Sequence, residues 1–227
     1  MKKILKYIMG IILVISLGFI IWTMDYYKAE NIAKDIYDND NLIIIDNNII
    51  LKPNISNDKA IIFYPGGKVE YYAYLPLLEK LKDQGYTIVS TKMLFNLAFF
   101  DINKADKAFD LLNEEIKEVY IMGHSLGGVA ASIYASDNIS RIDGLIVLGS
   151  YVYSDYPKEK SLTIYGELDD VKNDITYDTN VIEIKGGNHA NFGNYGKQKG
   201  DNDATIDRIT QQNITVEAIN EFINHHK

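Results

Sequence analysis

The chain has 227 residues, 47% hydrophobic and 24% charged, which fits one globular domain or at most two and excludes a wholly disordered, collagen-like or polytopic membrane protein. It has no cysteine, so disulfide scaffolds, thiolate metal sites and cysteine nucleophiles are excluded. Formal net charge is −8; with Lys2, Lys3 and Lys6 set aside, residues 7–227 carry 20 basic against 31 acidic groups, or −11, and such a body repels phosphate backbones, so no nucleic-acid partner is expected.

Residues 7–24 form an uncharged, mostly apolar run. As a helix its 18 residues span about 27 Å, close to the thickness of a bilayer's hydrocarbon core. Three lysines precede it, which predicts a cytoplasmic start, and Trp22, Tyr26 and Tyr27 then fall at the outer interface, where amphipathic rings are favoured. A cleaved signal peptide is the rival, but the run is long for one and no small-x-small site follows it. The expected organisation is a basic tail (1–6), a signal anchor (7–24), a short helical stalk (25–41) and an extracytoplasmic domain (42–227).

Within the body, residues 42–46 and 49–52 flank Asn47-Asn48 and read as a hairpin. AIIFY (60–64) is a short apolar strand ending at Pro65-Gly66-Gly67. Residues 70–84 have helical spacing and stop at Gly85, and TIVST (87–91) is the next strand. A helix is predicted over 104–116, a strand over 119–122 and a helix of small residues over 126–136. Strands follow at 145–148, 162–165 and 181–184, and an amphipathic helix at 214–225. Apolar runs alternating with helices indicate an α/β fold with a mostly parallel sheet covered on both faces. Ligands of such sheets bind beyond the carboxyl ends of the strands, so the residues just after each strand matter most.

Gly123-His124-Ser125-Leu126-Gly127 fits G-x-S-x-G, with a strand before it and a small-residue helix after it. A serine on such a turn projects its hydroxyl where the helix N-terminus favours negative charge. It needs a base to attack at neutral pH. Of four histidines, His124 adjoins the serine and points elsewhere, while His225 and His226 lie in the last three residues, at the end of a surface helix; His189, directly after a strand, remains. The base needs a carboxylate to orient it. Asp169 follows the LTIY strand in GELDD, with Asp170 and Glu167 as local rivals. An oxyanion also needs donors. The Leu126 N–H is one, and the loop after AIIFY supplies the other, from Gly67 or alternatively Lys68, since Pro65 cannot donate.

The segments FYPGGKVE (63–70), GHSLGG (123–128), GELDD (166–170) and GGNHANFGNYG (186–196) give the chain a resemblance to the α/β-hydrolase superfamily. More narrowly it resembles the compact bacterial fold-5 or dienelactone-hydrolase-like branch, over about residues 42–227. That resemblance implies the α/β-hydrolase fold, Ser125 as nucleophile, Asp169 as acid, His189 as base, and hydrolysis of esters or related acyl bonds. Asp170 stands where the branch typically has glycine.

Only 13 residues separate Leu148 from Leu162, so no cap domain is expected. Two aromatic clusters follow strand ends, Phe95, Phe99 and Phe100 in one and Tyr151, Tyr153 and Tyr156 in the other. They read equally as walls of an acyl pocket or as core and surface packing. Asp201, Asp203 and Asp207 lack the spacing of a known calcium loop, and no metal or cofactor is expected. The expected activity is that of a membrane-anchored serine esterase on a small-molecule or lipid-like acyl ester. Acyl transfer to an envelope acceptor, or a non-catalytic binding module on the same fold, stand as alternatives.

Overall fold

The computed structural model describes residues 2–39 and 42–225. Eight strands form one sheet in the order β1-β2-β4-β3-β5-β6-β7-β8. They are β1 Ile43–Ile45, β2 Asn48–Leu51, β3 Lys59–Tyr64, β4 Thr87–Ser90, β5 Glu118–His124, β6 Gly144–Leu148, β7 Ser161–Gly166 and β8 Val181–Ile184. β1 pairs with β2, and β2 with β4, in antiparallel register; every other pair is parallel.

Alternation along β3 divides the core. Ile61 and Phe63 join one apolar cluster, with Leu75, Leu78, Leu81, Ile219 and Ile223. Ile62 and Tyr64 join the other, with Ala130, Ala131, Tyr134 and Val147. The first cluster packs α3 (Leu75–Asp83) and α6 (Arg208–His225) on one face; the second packs α4 (Lys104–Phe109) and α5 (Leu126–Asp137) on the other. A sheet covered on both faces is why its strands read as unbroken apolar runs.

Three boundaries differ from the sequence reading. The hairpin turns at Asp46-Asn47, both at positive φ (49° and 63°), and Asn48 pairs with Ile45. A two-residue turn of this kind needs positive φ at both central positions, which Asp and Asn tolerate. The helix predicted over 104–116 stops at Phe109. Tight turns at Leu111 and Leu112 then lead the chain toward Lys117, whose N–H bonds Asp58 O at the start of β5. The last helix begins six residues early, at Arg208, because Asp207 caps it: its carboxylate accepts the Thr210 N–H at 2.8 Å.

The N-terminal helix α1 (Lys2–Met24) is, among the described residues, the one helix long and apolar enough to cross a membrane. The segment after it, read as a stalk, contains a helix, α2 (Asn31–Tyr37), and lies against the body. Tyr27 bridges Val69 in parallel, the Ala29 N–H donates to Glu70, the Glu30 N–H donates to Asn194 O, and Arg208 pairs with Glu30. Ala29 and Ala33 are buried in the first apolar cluster. Asp40 and Asn41 of that segment, and His226, lie outside the described residues.

Candidate functional site

Ser125 sits between the end of β5 and the start of α5 with φ 53° and ψ −123°. Such a backbone is costly for a residue with a Cβ, by roughly 1–3 kcal/mol. Close packing enforces the turn. A Cβ on Gly123 would lie 2.3 Å from Gly127 O, and one on Gly127 would lie 2.3 Å from Pro65 O and 2.4 Å from Tyr64 O. Only hydrogens fit, so α5 starts directly against both β5 and the loop after β3. The Ser125 N–H donates to Leu148 O on the neighbouring strand at 2.9 Å, and the side chain stays half-buried without a hydrogen bond to any described residue.

His189 and Asp169 meet at the same rim. His189 Nδ1 lies 2.8 Å from Asp169 Oδ2, with side chains 12% and 5% exposed, so the pair is nearly desolvated. The other Asp169 oxygen accepts the Val171 N–H at 3.0 Å. With Nδ1 directed at the carboxylate, His189 keeps Nε2 for a second partner. The rival carboxylates lie elsewhere: Asp170 is exposed, and Glu167 accepts the Gly186 N–H and pairs with Lys185, which holds its carboxyl below the usual range.

Gly149, directly after β6, lies against both the carboxylate and the imidazole. It has φ 49°, and a Cβ there would lie 3.0 Å from both Asp169 Oδ2 and His189 Nδ1. The histidine loop has further supports. Asp201 accepts the N–H groups of His189 (3.1 Å) and Ala190 (2.8 Å). Gln211 on α6 closes a reciprocal pair with the Asn188 backbone, at 3.0 and 2.8 Å. The three aspartates weighed as calcium ligands have separate tasks: Asp201 buttresses the loop, Asp203 pairs with Lys197 and Asp207 caps α6. Among the described residues no group of three His, Asp or Glu side chains could hold a metal ion.

The loop after β3 separates the two candidate donors. The Gly66 N–H donates to Tyr74 Oη at 3.1 Å and the Lys68 N–H to Asn96 O at 2.7 Å. Among described residues the N–H groups of Gly67 and Leu126 have no partner, and the two residues touch: a Cβ on Gly67 would meet Leu126 Cδ2 at 2.7 Å.

His124 is buried between the two loops. Its Nε2 lies 3.0 Å from His189 O, and because a carbonyl only accepts, Nε2 carries the proton. Nδ1 therefore accepts from the Tyr74 hydroxyl at 2.9 Å, and that hydroxyl in turn accepts the Gly66 N–H. Burial, then the neighbouring His189, hold the His124 pKa well below its ordinary value of 6.5. The unfolded imidazole gains a proton below about pH 6.5 and the native one does not, so stability is full above that pH and falls as pH drops below it. Between about pH 7 and about pH 5.5 this group is expected to remove about 1 kcal/mol of unfolding free energy. His124→Gln should show a correspondingly shallower pH dependence in urea titrations; equal slopes would contradict the buried neutral imidazole.

Of the residues picked out in sequence, the structure brings His189 and Asp169 into contact after β8 and β7, sets Ser125 at the end of β5 with β6 between β5 and β7, and puts Gly67 against Leu126. Sequence reasoning missed Gly149 and the Tyr74–His124 link. A glycine directly after an apolar strand was a usable signal for the first; the second joins residues 50 apart in the chain. Of the aromatic clusters, Phe95, Phe99 and Phe100 are exposed, Tyr156 is buried with its hydroxyl on Ile142 O, and Tyr153 is exposed.

The same architecture recurs in solved structures. Est1E from Butyrivibrio proteoclasticus superposes with a TM-score of 0.57 at 14% identity, over 82% of this chain and 97% of that one. Its ferulic-acid-bound form gives 0.54 at 14%, over 82% and 98%. Dienelactone hydrolase from Anabaena variabilis gives 0.54 at 16%, over 78% and 90%. No curated protein matches the sequence. A family model described as the alpha/beta hydrolase family matches residues 60–213, from β3 through the elbow and the histidine loop into α6. That span takes in more than half of the chain and every residue of the site, and the chain belongs to the alpha/beta hydrolase family.

Proposed function

We propose that this hydrolase cleaves carboxylic esters through an acyl-enzyme on Ser125, and that α1 anchors it in a membrane with the domain outside the cytoplasm. The observation that carries the reading is the desolvated His189–Asp169 pair, 2.8 Å apart, beside a serine elbow with two unpartnered backbone N–H groups. Ser125 Oγ attacks the acyl carbonyl while His189 Nε2 takes its proton. The N–H groups of Gly67 and Leu126 receive the oxyanion, and Asp169 stabilises the imidazolium. The proton passes to the leaving alkoxide, and a water activated by the same imidazole releases the acid. The names of the fold neighbours, a dienelactone hydrolase and a protein with ferulic acid bound, accord with an acyl substrate. Lys2, Lys3 and Lys6 at the start of α1 support the topology.

A fluorophosphonate probe tests the chemistry. Labelling at Ser125, with turnover of short aryl esters, is expected; a folded preparation that neither takes label nor hydrolyses any ester of the panel would overturn the proposal. Protease added outside intact cells should cut the domain, and protection of residues 30–227 would reverse the topology.

Gly149→Ala adds a further check. The methyl group would sit against both members of the acid–base pair on a backbone with φ 49°. Turnover is expected to fall at least tenfold, with about 1–2 kcal/mol lost in stability. Wild-type kinetics would mean that the pair need not keep its observed position.

A further inference from the structure

We propose that the loop over residues 94–100 inserts beside α1 into the bilayer, so that the active site takes its acyl ester from the membrane surface. The substrate class is an acyl ester of a membrane lipid, and this part rests on the reading of Ser125 as nucleophile.

Leu94, Phe95, Phe99 and Phe100, all on this short loop, are 53%, 41%, 52% and 54% exposed, and the Phe95 and Phe100 rings meet edge to face at 6.1 Å between centroids. Contiguous exposed rings of this size mark a contact surface. The patch is continuous with α1: Phe19 packs edge-on against Phe95 and Phe100, each at 5.6 Å between centroids. Phe19 lies five residues before the end of α1, about 7.5 Å along the helix axis. If α1 spans, rings touching Phe19 lie below the headgroups, within the usual depth of interfacial insertion. Phe95 and Asn96 hold positive φ (56° and 54°), a conformation that a bulky side chain adopts only under constraint. The constraint is the Lys68 N–H, which bonds Asn96 O at 2.7 Å.

Lys68 also fixes the depth of the active site. Its ammonium lies 4.3 Å from the centroid of the Trp22 ring and 3.8 Å from Asp25. A Trp–Lys pair at the end of an apolar helix belongs at the headgroup level. Lys68 follows Gly67, the candidate oxyanion donor, so that donor sits at the depth where the ester carbonyls of bilayer lipids lie. Tyr27 stitches the exit of α1 to the same loop, donating its N–H to Lys68 O at 2.8 Å and accepting from Glu70 N–H at 2.9 Å. The bilayer into which α1 runs is thus the occupant of the patch.

The test uses the full chain reconstituted in phosphatidylcholine–phosphatidylglycerol vesicles. A variant with Leu94, Phe95, Phe99 and Phe100 all replaced by serine is compared with the parent on a water-soluble acetate ester and on a long-chain coumarin ester embedded in the bilayer. Turnover of the soluble ester should stay within about twofold, while the embedded ester loses at least about tenfold. An unchanged ratio overturns the proposal. Independently of activity, Trp22→Phe combined with Phe99→Trp leaves a single indole on the patch. Quenching by brominated lipid is expected. Quenching by aqueous iodide instead, or shielding from both in a dimer where a second copy covers the patch, overturns the membrane contact. A parent inactive on both esters overturns the substrate assignment by way of the hydrolase reading, and the bromolipid result still decides the contact.

Discussion

Ser125→Ala is expected to lower ester turnover on the order of 10⁴-fold or more and to leave the fold intact. The Ser125 side chain makes no hydrogen bond with described residues, and alanine keeps the same Cβ on the same backbone. Nothing structural is therefore lost with the oxygen, and a fall in kcat reports the chemistry. Thermal unfolding should be unchanged within about 0.5 kcal/mol. Ser125→Gly separates strain from chemistry. Relief of roughly 1–3 kcal/mol at φ 53° and ψ −123° outweighs the extra entropy of an unfolded glycine, so the inactive glycine variant should gain about 1 kcal/mol. Wild-type turnover by Ser125→Ala would remove the serine from the mechanism.

The second large effect is expected from Asp169→Asn, about 10⁴-fold in kcat with the structure kept. One Asp169 oxygen accepts the Val171 N–H at 3.0 Å and the other faces His189 Nδ1 at 2.8 Å. An asparagine that keeps its carbonyl on Val171 must direct its NH₂ at Nδ1. Nδ1 then accepts, the ring proton moves to Nε2, and the imidazole can no longer take a proton from Ser125. Asp170→Asn provides the comparison: that side chain is exposed and should leave turnover within about twofold. Equal losses from the two variants would mean that the acid had been wrongly assigned.

The elbow, the strands and the amphipathic helices were legible because each is a local pattern. GHSLGG needs only the strand before it and the small residues after it to be read as a turn. The apolar runs of β3, β5 and β6 announce a sheet covered on both faces, and residues 7–24 announce a long apolar helix. His189 was singled out by elimination and Asp169 by its place after a strand, and the two side chains meet at 2.8 Å.

What the sequence left open depends on pairing between distant segments. The hairpin slipped by one residue because the strands determine which two residues carry positive φ. The helix at 104–109 is shorter than its apolar period because the chain must turn to reach Asp58. Residues 25–39 looked polar enough to stand free, yet their partners, Glu70, Asn194 and Arg208, lie 40 to 180 residues away. The Pro-Gly-Gly-Lys string favoured Gly67 with Lys68 as the alternative. What it could not show is that Asn96, on another loop, occupies the Lys68 N–H. Composition and periodicity thus determined by themselves the layers, the order of the elements and the kinds of group at the strand ends. Only the tertiary structure decided which of those groups meet, because a hydrogen-bond partner brought by the next strand leaves no trace in the local pattern.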